Sequence, residues 1–172
     1  MSSVPSIFSR PLHLLFFFYF LSHIPITIFI DAQPILSPYL PQLYPPFLQQ
    51  VLKQQWIEPY QDMLMERVPV WFASFGFCEV FVQLPFFFIA LYAFVAGKNW
   101  IRIPAIIYSA HVMTTLVPIM AVFLFDKEYL NHNAFLLGTY SVYFIIPLLL
   151  LLNMVCYEKP FDYHSKTKTK SN

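Results

Sequence analysis

Charge is what this sequence has least of. Asp, Glu, Lys and Arg make up 11% of its 172 residues, where a soluble domain carries about a quarter. Most of the surface of such a chain cannot face water. Glycine is also scarce, with three residues, which excludes a collagen-like repeat, and the abundance of Phe, Leu, Ile, Val and Tyr excludes disorder. The two cysteines, Cys78 and Cys156, lie in apolar stretches near opposite ends of antiparallel segments, so no disulfide is expected. Two cysteines make no metal site, and His13, His23, His111, His132 and His164 show no ligand spacing such as HxxxH. Neither metal nor cofactor is expected. The net charge of +1 gives no reason to expect nucleic acid as a partner.

What is there is apolar and long. A hydrocarbon core about 30 Å thick needs roughly 20 apolar residues in a helix, and four stretches qualify: residues 11–30, 70–96, 101–125 and 134–156. The first is too long for a secretory signal and lacks a small-residue cleavage site, so it is read as a retained span. The fold class is therefore an all-α membrane protein, a four-transmembrane-helix bundle with kinked helices and a short lumenal helical loop. Residues 1–10 form an N-terminal arm, 11–157 the transmembrane domain and 158–172 a tail. With four spans, Arg10, Lys98, Arg102, Lys159, Lys166, Lys168 and Lys170 share one side, and Lys53, Arg67 and Lys127 the other. The positive-inside rule puts both termini in the cytosol. In the terminal KTKTKSN, Lys168 and Lys170 have the spacing of a dilysine retrieval signal of the endoplasmic reticulum; a solvated basic tail is the alternative reading.

Residues 31–69 are too many for a structureless connection. Pro45-Pro46 opens a helix on which Phe47, Leu48, Val51 and Leu52 recur at helical spacing. After Trp56 and Pro59, a second short helix is expected with Tyr60, Met63 and Leu64, both lying across the lumenal end of the bundle.

Ionisable groups inside a span are functional candidates by default. Glu79 is the carboxylate well inside one, roughly 13 Å down a helix rising 1.5 Å per residue. Gln83 lies one turn below on the same face. Asp31 ends the first span on the same side, with Pro25 expected to break the helix and let the carboxylate fold inward. Depth counting puts Thr115 and Tyr143 level with Glu79, Tyr140 a turn above and His111 deeper. Pro25, Pro85, Pro104, Pro118 and Pro147 invite kinks that open a chamber. Such a chamber, apolar with acids at its lumenal half, suits a lipophilic molecule with one cationic handle. Apart from Arg102 at the very start of the third, no Lys or Arg lies within the spans, so Glu79 is either protonated and donating, or ionised and awaiting a ligand ammonium, to which aromatic rings add cation–π attraction. The plainer reading is that Glu79, Gln83, Thr115 and His111 join helices together in lipid.

The segments YFLSHIPITIFID, FCEVFVQLPFFFIALYAF and WIRIPAIIYSAHVMTTLVPI resemble the sigma-2-type receptors, a branch of the EXPERA-domain family of sterol-related membrane proteins. The resemblance implies a homodimeric endoplasmic reticulum protein, found also in nuclear envelope, lysosomal or plasma membrane, that binds sterols and cationic amphiphilic small molecules and affects cholesterol trafficking, including through the Niemann-Pick type C cholesterol transporter. It implies Glu79 as the ligand-pairing acid and Asp31 as its support, with Gln83, Thr115, Tyr108, Tyr143, His23 and Ile26 lining the pocket and Asp62 helping to close its lumenal side. A second branch, the emopamil-binding sterol isomerase, needs a proton donor and a base on opposite faces of a sterol. As the resemblance goes, that branch has a His one turn before the second-span Glu and an acid on the third span. Here the first place is taken by Phe75, and residues 101–125 contain no acid. A receptor is expected ahead of an isomerase, with an interaction scaffold third. A proton-coupled transporter comes last, because four spans without an internal repeat give little for alternating access.

Overall fold

The computed structural model describes residues 4–126 and 133–162. Four helical segments are long and apolar enough to cross a bilayer: Pro11–Leu36, Val70–Ala96, Asn99–Phe125 and Ala134–Cys156. The all-α four-helix class expected from hydropathy is what is found, and no strand occurs among the described residues. In hydrocarbon every backbone N–H and C=O must be satisfied internally, which leaves the helix as the form for a single apolar segment. Phe18, Ile107 and Val142 lie on outer faces, more than half exposed to lipid.

The first span packs against the second and the third against the fourth. Ala90, Ala93 and Ala105 are fully buried, and their small side chains let the backbones approach. Phe16, Phe20, Phe87 and Phe94 fill the space between helices with no exposed surface. Phe20 meets Tyr108 edge-on at 5.3 Å between centroids, a geometry contributing about 0.5–1.5 kcal/mol per pair beyond burial.

A helix ends with carbonyls that have no partner and with the negative pole of its dipole. Two arginines meet these ends. Arg10, 1% exposed, donates from Nη2 to the Phe94 and Val95 carbonyls at 2.9 and 3.1 Å and lies over the Phe161 ring. Arg102 donates from Nε to the Met154 and Tyr157 carbonyls at 2.8 and 3.1 Å. In each antiparallel pair, a cation at the start of one span caps the end of its neighbour. The second span stops at Gly97, whose φ of 59° forms a left-handed cap that glycine adopts without strain.

Three π-turns, Thr27–Asp31, Lys53–Ile57 and Glu79–Gln83, each shortly precede a proline: Pro34, Pro59 and Pro85. Proline brings no N–H, and its ring presses on the carbonyl four residues back. Widening the helix by one residue ahead of it relieves that contact, and the carbonyls set loose find other donors. Around the first π-turn, Tyr44 Oη donates to the Ile28 carbonyl at 3.0 Å and Gln33 Nε2 to the Phe29 carbonyl at 2.8 Å. The expected break at Pro25 does not occur. The helix runs through Pro25 to Ile26, because a membrane helix tolerates one lost donor where neighbouring helices support it. The opening comes at residues 27–31 instead, and helix resumes at Gln33–Leu36. Asp31 is therefore inside the first span and not at its end.

The loop between the first and second spans also differs in phase from expectation. Helix begins at Pro46, as expected, but runs on through Trp56 and Pro59 to Tyr60, and the second helix is Met63–Arg67. The corner is Gln61, at φ 51°, followed by Asp62 as N-cap. Asp62, 0% exposed, accepts from the Met65 N–H at 3.2 Å and from Trp56 Nε1 at 3.0 Å. Tyr60 stacks on Phe135 at 4.0 Å, so the loop closes over the start of the fourth span.

Arg10→Ala is expected to lower stability by about 1.5–3 kcal/mol, the value of a hydrogen bond from a charged group, read as a lower thermal midpoint in detergent; Arg10→Lys restores only part, since an ammonium cannot form the fork. Asp62→Ala leaves the Trp56 and Met65 donors buried and is expected to lower stability by about 1–3 kcal/mol, with a shift in tryptophan emission. Burial raises the Asp62 carboxyl above its ordinary 3.8, against the hydrogen bonds that favour its ionised form. Above pH 3.8 the folded state thus binds more protons than the unfolded at this group, so its contribution falls as pH rises through the raised value and is flat beyond. The wild-type pH slope minus that of Asp62→Asn measures this.

Candidate functional site

The π-turns of the first and second spans pack against each other. Each carries one acid, and the carboxyls of Asp31 and Glu79 come within hydrogen-bonding reach. Thr27, on the same turn as Asp31 and fully buried, donates from Oγ1 to Glu79 Oε1 at 2.5 Å. Ionised carboxylates have no donor, so a hydrogen bond between the two acids requires that one hold a proton. Facing carboxyls with no cation among the residues lining the cavity form an anionic pole that lacks its counter-ion.

These acids line a cavity of about 100 Å³ between the four spans. Gln83, one turn below Glu79, lines it, as do His23 from the first span, Tyr108 and Thr115 from the third and Tyr143 from the fourth. The Thr115 hydroxyl is committed to the Val112 carbonyl of its own helix at 2.9 Å, leaving its methyl group to shape the wall. Tyr19 and Tyr108 join hydroxyls at 3.2 Å. His23 is fixed by its Nδ1 on the Tyr19 carbonyl at 2.9 Å and by the Tyr143 ring standing perpendicular at 4.8 Å.

Not every expected residue reaches the cavity. Ile26 is half-buried on the first span and does not line it. Asp62 lies outside it in the loop between the first and second spans; the Tyr140 side chain both bonds to Asp62 and lines the cavity, linking loop to chamber. His111 is also outside, with Nε2 buried and unpartnered. Lys168 and Lys170 fall outside the described residues. Among the described residues no group of three His, Cys, Asp or Glu side chains is placed to hold a metal.

Tyr19 and Thr27 were not among the expected site residues, yet a signal for them exists. Tyr19, His23, Thr27 and Asp31 recur at intervals of four, a polar stripe along one helix face. A second, more open hollow of about 530 Å³ lies between the first and fourth spans and shares Tyr19, His23 and Tyr143 with the cavity. Those three rings are the wall between them.

The pattern of the EXPERA (EXPanded EBP superfamily) family matches residues 47–154. The chain is 44% identical over 166 residues to the Sigma intracellular receptor 2 of Homo sapiens, covering 88% of this chain and 91% of the relative. It is 42% identical over 173 residues to that of Xenopus tropicalis, covering 94% and 98%. The Efficient mitochondria targeting-associated protein 19 of Saccharomyces cerevisiae is 30% identical over 119 residues, covering 63% and 70%. Matching that family's pattern over more than half its length, and such relatives almost from end to end, the chain belongs to the EXPERA family.

Proposed function

We propose that this chain is a sigma-2-type intracellular membrane receptor whose Asp31–Glu79 pair binds the cationic group of amphiphilic ligands, while the apolar chamber takes their bodies or a sterol. In this reading it resides in the endoplasmic reticulum, held there by Lys168 and Lys170. It acts as a homodimer in cholesterol homeostasis and trafficking, with the Niemann-Pick type C cholesterol transporter as partner.

The observation that carries the reading is the facing acid pair with no lysine or arginine along the cavity. A ligand ammonium supplies the missing charge through charge-assisted hydrogen bonds, with the nearby tyrosine rings adding cation–π attraction. Thr27 holds one Glu79 oxygen and so fixes where the other points. The cavity of about 100 Å³ is below the roughly 300–1,000 Å³ of pockets for drug-sized molecules. Joined with the hollow of about 530 Å³ it reaches that range, so binding such a ligand requires the Tyr19–His23–Tyr143 wall to give way. Two of the relatives named above, those of Homo sapiens and Xenopus tropicalis, bear the name of a receptor.

The same geometry argues against isomerisation. Moving a ring double bond needs acid and base on opposite faces of the substrate, whereas Asp31 and Glu79 sit side by side. Glu79→Gln is expected to weaken binding of a tertiary-amine amphiphile about 100-fold or more, the scale for removing one member of a buried charge pair, in a chain that still folds in membranes. Unchanged affinity in a radioligand assay would sink the proposal. Expression of the native chain in a sterol-isomerase-deficient auxotroph is expected to give no growth; rescue would turn the reading to catalysis.

A further inference from the structure

Resting on the receptor reading above, we infer that the chamber has a second polar pole, His23 Nε2, which selects ligands carrying a hydroxyl-type hydrogen-bond donor remote from their ammonium. His23 is 8% exposed. Its Nδ1 faces the Tyr19 carbonyl oxygen at 2.9 Å, and a carbonyl only accepts, so Nδ1 carries a proton. With a carbonyl rather than a carboxylate as its partner, the buried ring is neutral, because an uncompensated buried charge is strongly disfavoured. Nε2 is then a bare acceptor.

The ring cannot readily turn that acceptor elsewhere. Tyr19 packs on it at 4.1 Å, Tyr143 at 4.8 Å and Phe87 at 5.5 Å between centroids. Among the described residues no donor reaches Nε2, and unlike His111 Nε2 and Ser109 Oγ it is not sealed inside protein. The side chain stands in the wall common to the chamber and the hollow between the first and fourth spans, where any molecule passing or lying across the wall meets it.

Spacing completes the argument. Asp31 lies eight positions beyond His23 on the same span, and Thr27, which holds Glu79, lies four, so the acid pair stands roughly 6–12 Å from His23 along the helix. The cavity wall also includes the aliphatic side chains of Val112, Leu116 and Ile119. The complement of such a site is an apolar body with an ammonium at one end and a donor roughly 6–12 Å away. A ligand with an ether at that place cannot donate, and it leaves Nε2 desolvated and unpaired, which a site built around a hydrogen bond rejects.

The test uses the full chain in lipid nanodiscs and two tertiary-amine amphiphiles, identical except that one ends in a hydroxyl and the other in its methyl ether, roughly 6–12 Å from the nitrogen. The hydroxyl compound is expected to bind about five- to ten-fold more tightly, the value of one neutral hydrogen bond. In His23→Phe the ratio is expected to fall to about one whatever the variant's own affinity. Because a folding defect in that variant would obscure the ratio, the native chain labelled with 15N-histidine gives a second readout: the unprotonated Nε2 resonance shifts with the hydroxyl compound and not with the ether. Equal affinities for the native chain, a ratio that survives in His23→Phe, or an Nε2 resonance indifferent to both compounds would overturn the inference while leaving the acid pair as the ammonium site. Failure of both amines to bind the native chain would overturn the receptor reading and this inference with it.

Discussion

Every backbone hydrogen bond lost in lipid has to be recovered inside the protein, and the chain takes on that demand repeatedly, with 15 prolines in 172 residues. A missing N–H that water would replace in a soluble protein becomes an unsatisfied carbonyl in hydrocarbon. The fold answers it in two ways. Helices widen into π-turns ahead of Pro34, Pro59 and Pro85, and side chains reach back to carbonyls, as Gln33 does to Phe29, Tyr44 to Ile28 and Arg10 to Phe94. Pro25, Pro118 and Pro147 sit inside continuous helices, so proline alone does not dictate where the bundle opens.

The candidate site follows from that solution. A π-turn adds a residue to one turn of helix and displaces the side chains on it, which is why such turns recur at functional sites. Here two of them lie against each other with an acid on each, at the last residue of one and the first of the other. Were both acids ionised at that separation, their repulsion in a low dielectric would be severe. A shared proton or a bound cation relieves it, and the protein supplies no cation along the cavity wall. The residues lining the cavity thus offer the pair no counter-charge.

Much of this was legible in the sequence. Hydropathy fixed the number of spans and the class of fold, since 20-residue apolar runs have one structural outcome in lipid. Matching depth along antiparallel helices brought Thr115 and Tyr143 to the level of Glu79, with Gln83 a turn below, and all four line one cavity. The π-turns were not legible: a five-residue widening leaves no mark on hydrophobic periodicity, so Asp31 was expected beyond a break at Pro25 instead of within the span. Trp56 and Tyr60 were divided between two helices because Pro59 looked like a stop, although the corner is the left-handed Gln61 four residues after the π-turn ends at residue 57. Thr27 and Tyr19 were overlooked because a hydroxyl in a span is usually bonded to its own helix. Only the interval of four that links them to Asp31 marks them out.

That last point gives a way to separate scaffold from site in a bundle of this kind. Most hydroxyls here are committed to a carbonyl within one turn: Ser22 to Tyr19, Thr114 to Ala110, Thr139 to Phe135 and Ser141 to Leu137. Gln33 is committed to the Phe29 carbonyl in the same way, and Arg102 to a carbonyl at the end of the fourth span. Such groups satisfy the backbone and have no donor capacity aimed at a guest. Thr27 is different, because its hydroxyl reaches 52 residues along the chain to Glu79. The Asp31 and Glu79 carboxyls have only each other and Thr27 among their side-chain hydrogen-bond partners. His23 has one nitrogen on a carbonyl and the other without a protein partner. In lipid an uncommitted polar atom is costly enough to be rare. Three such side chains around one cavity, on two spans whose helices open at facing turns, are better explained by a guest that completes their hydrogen bonds than by the joining of helices.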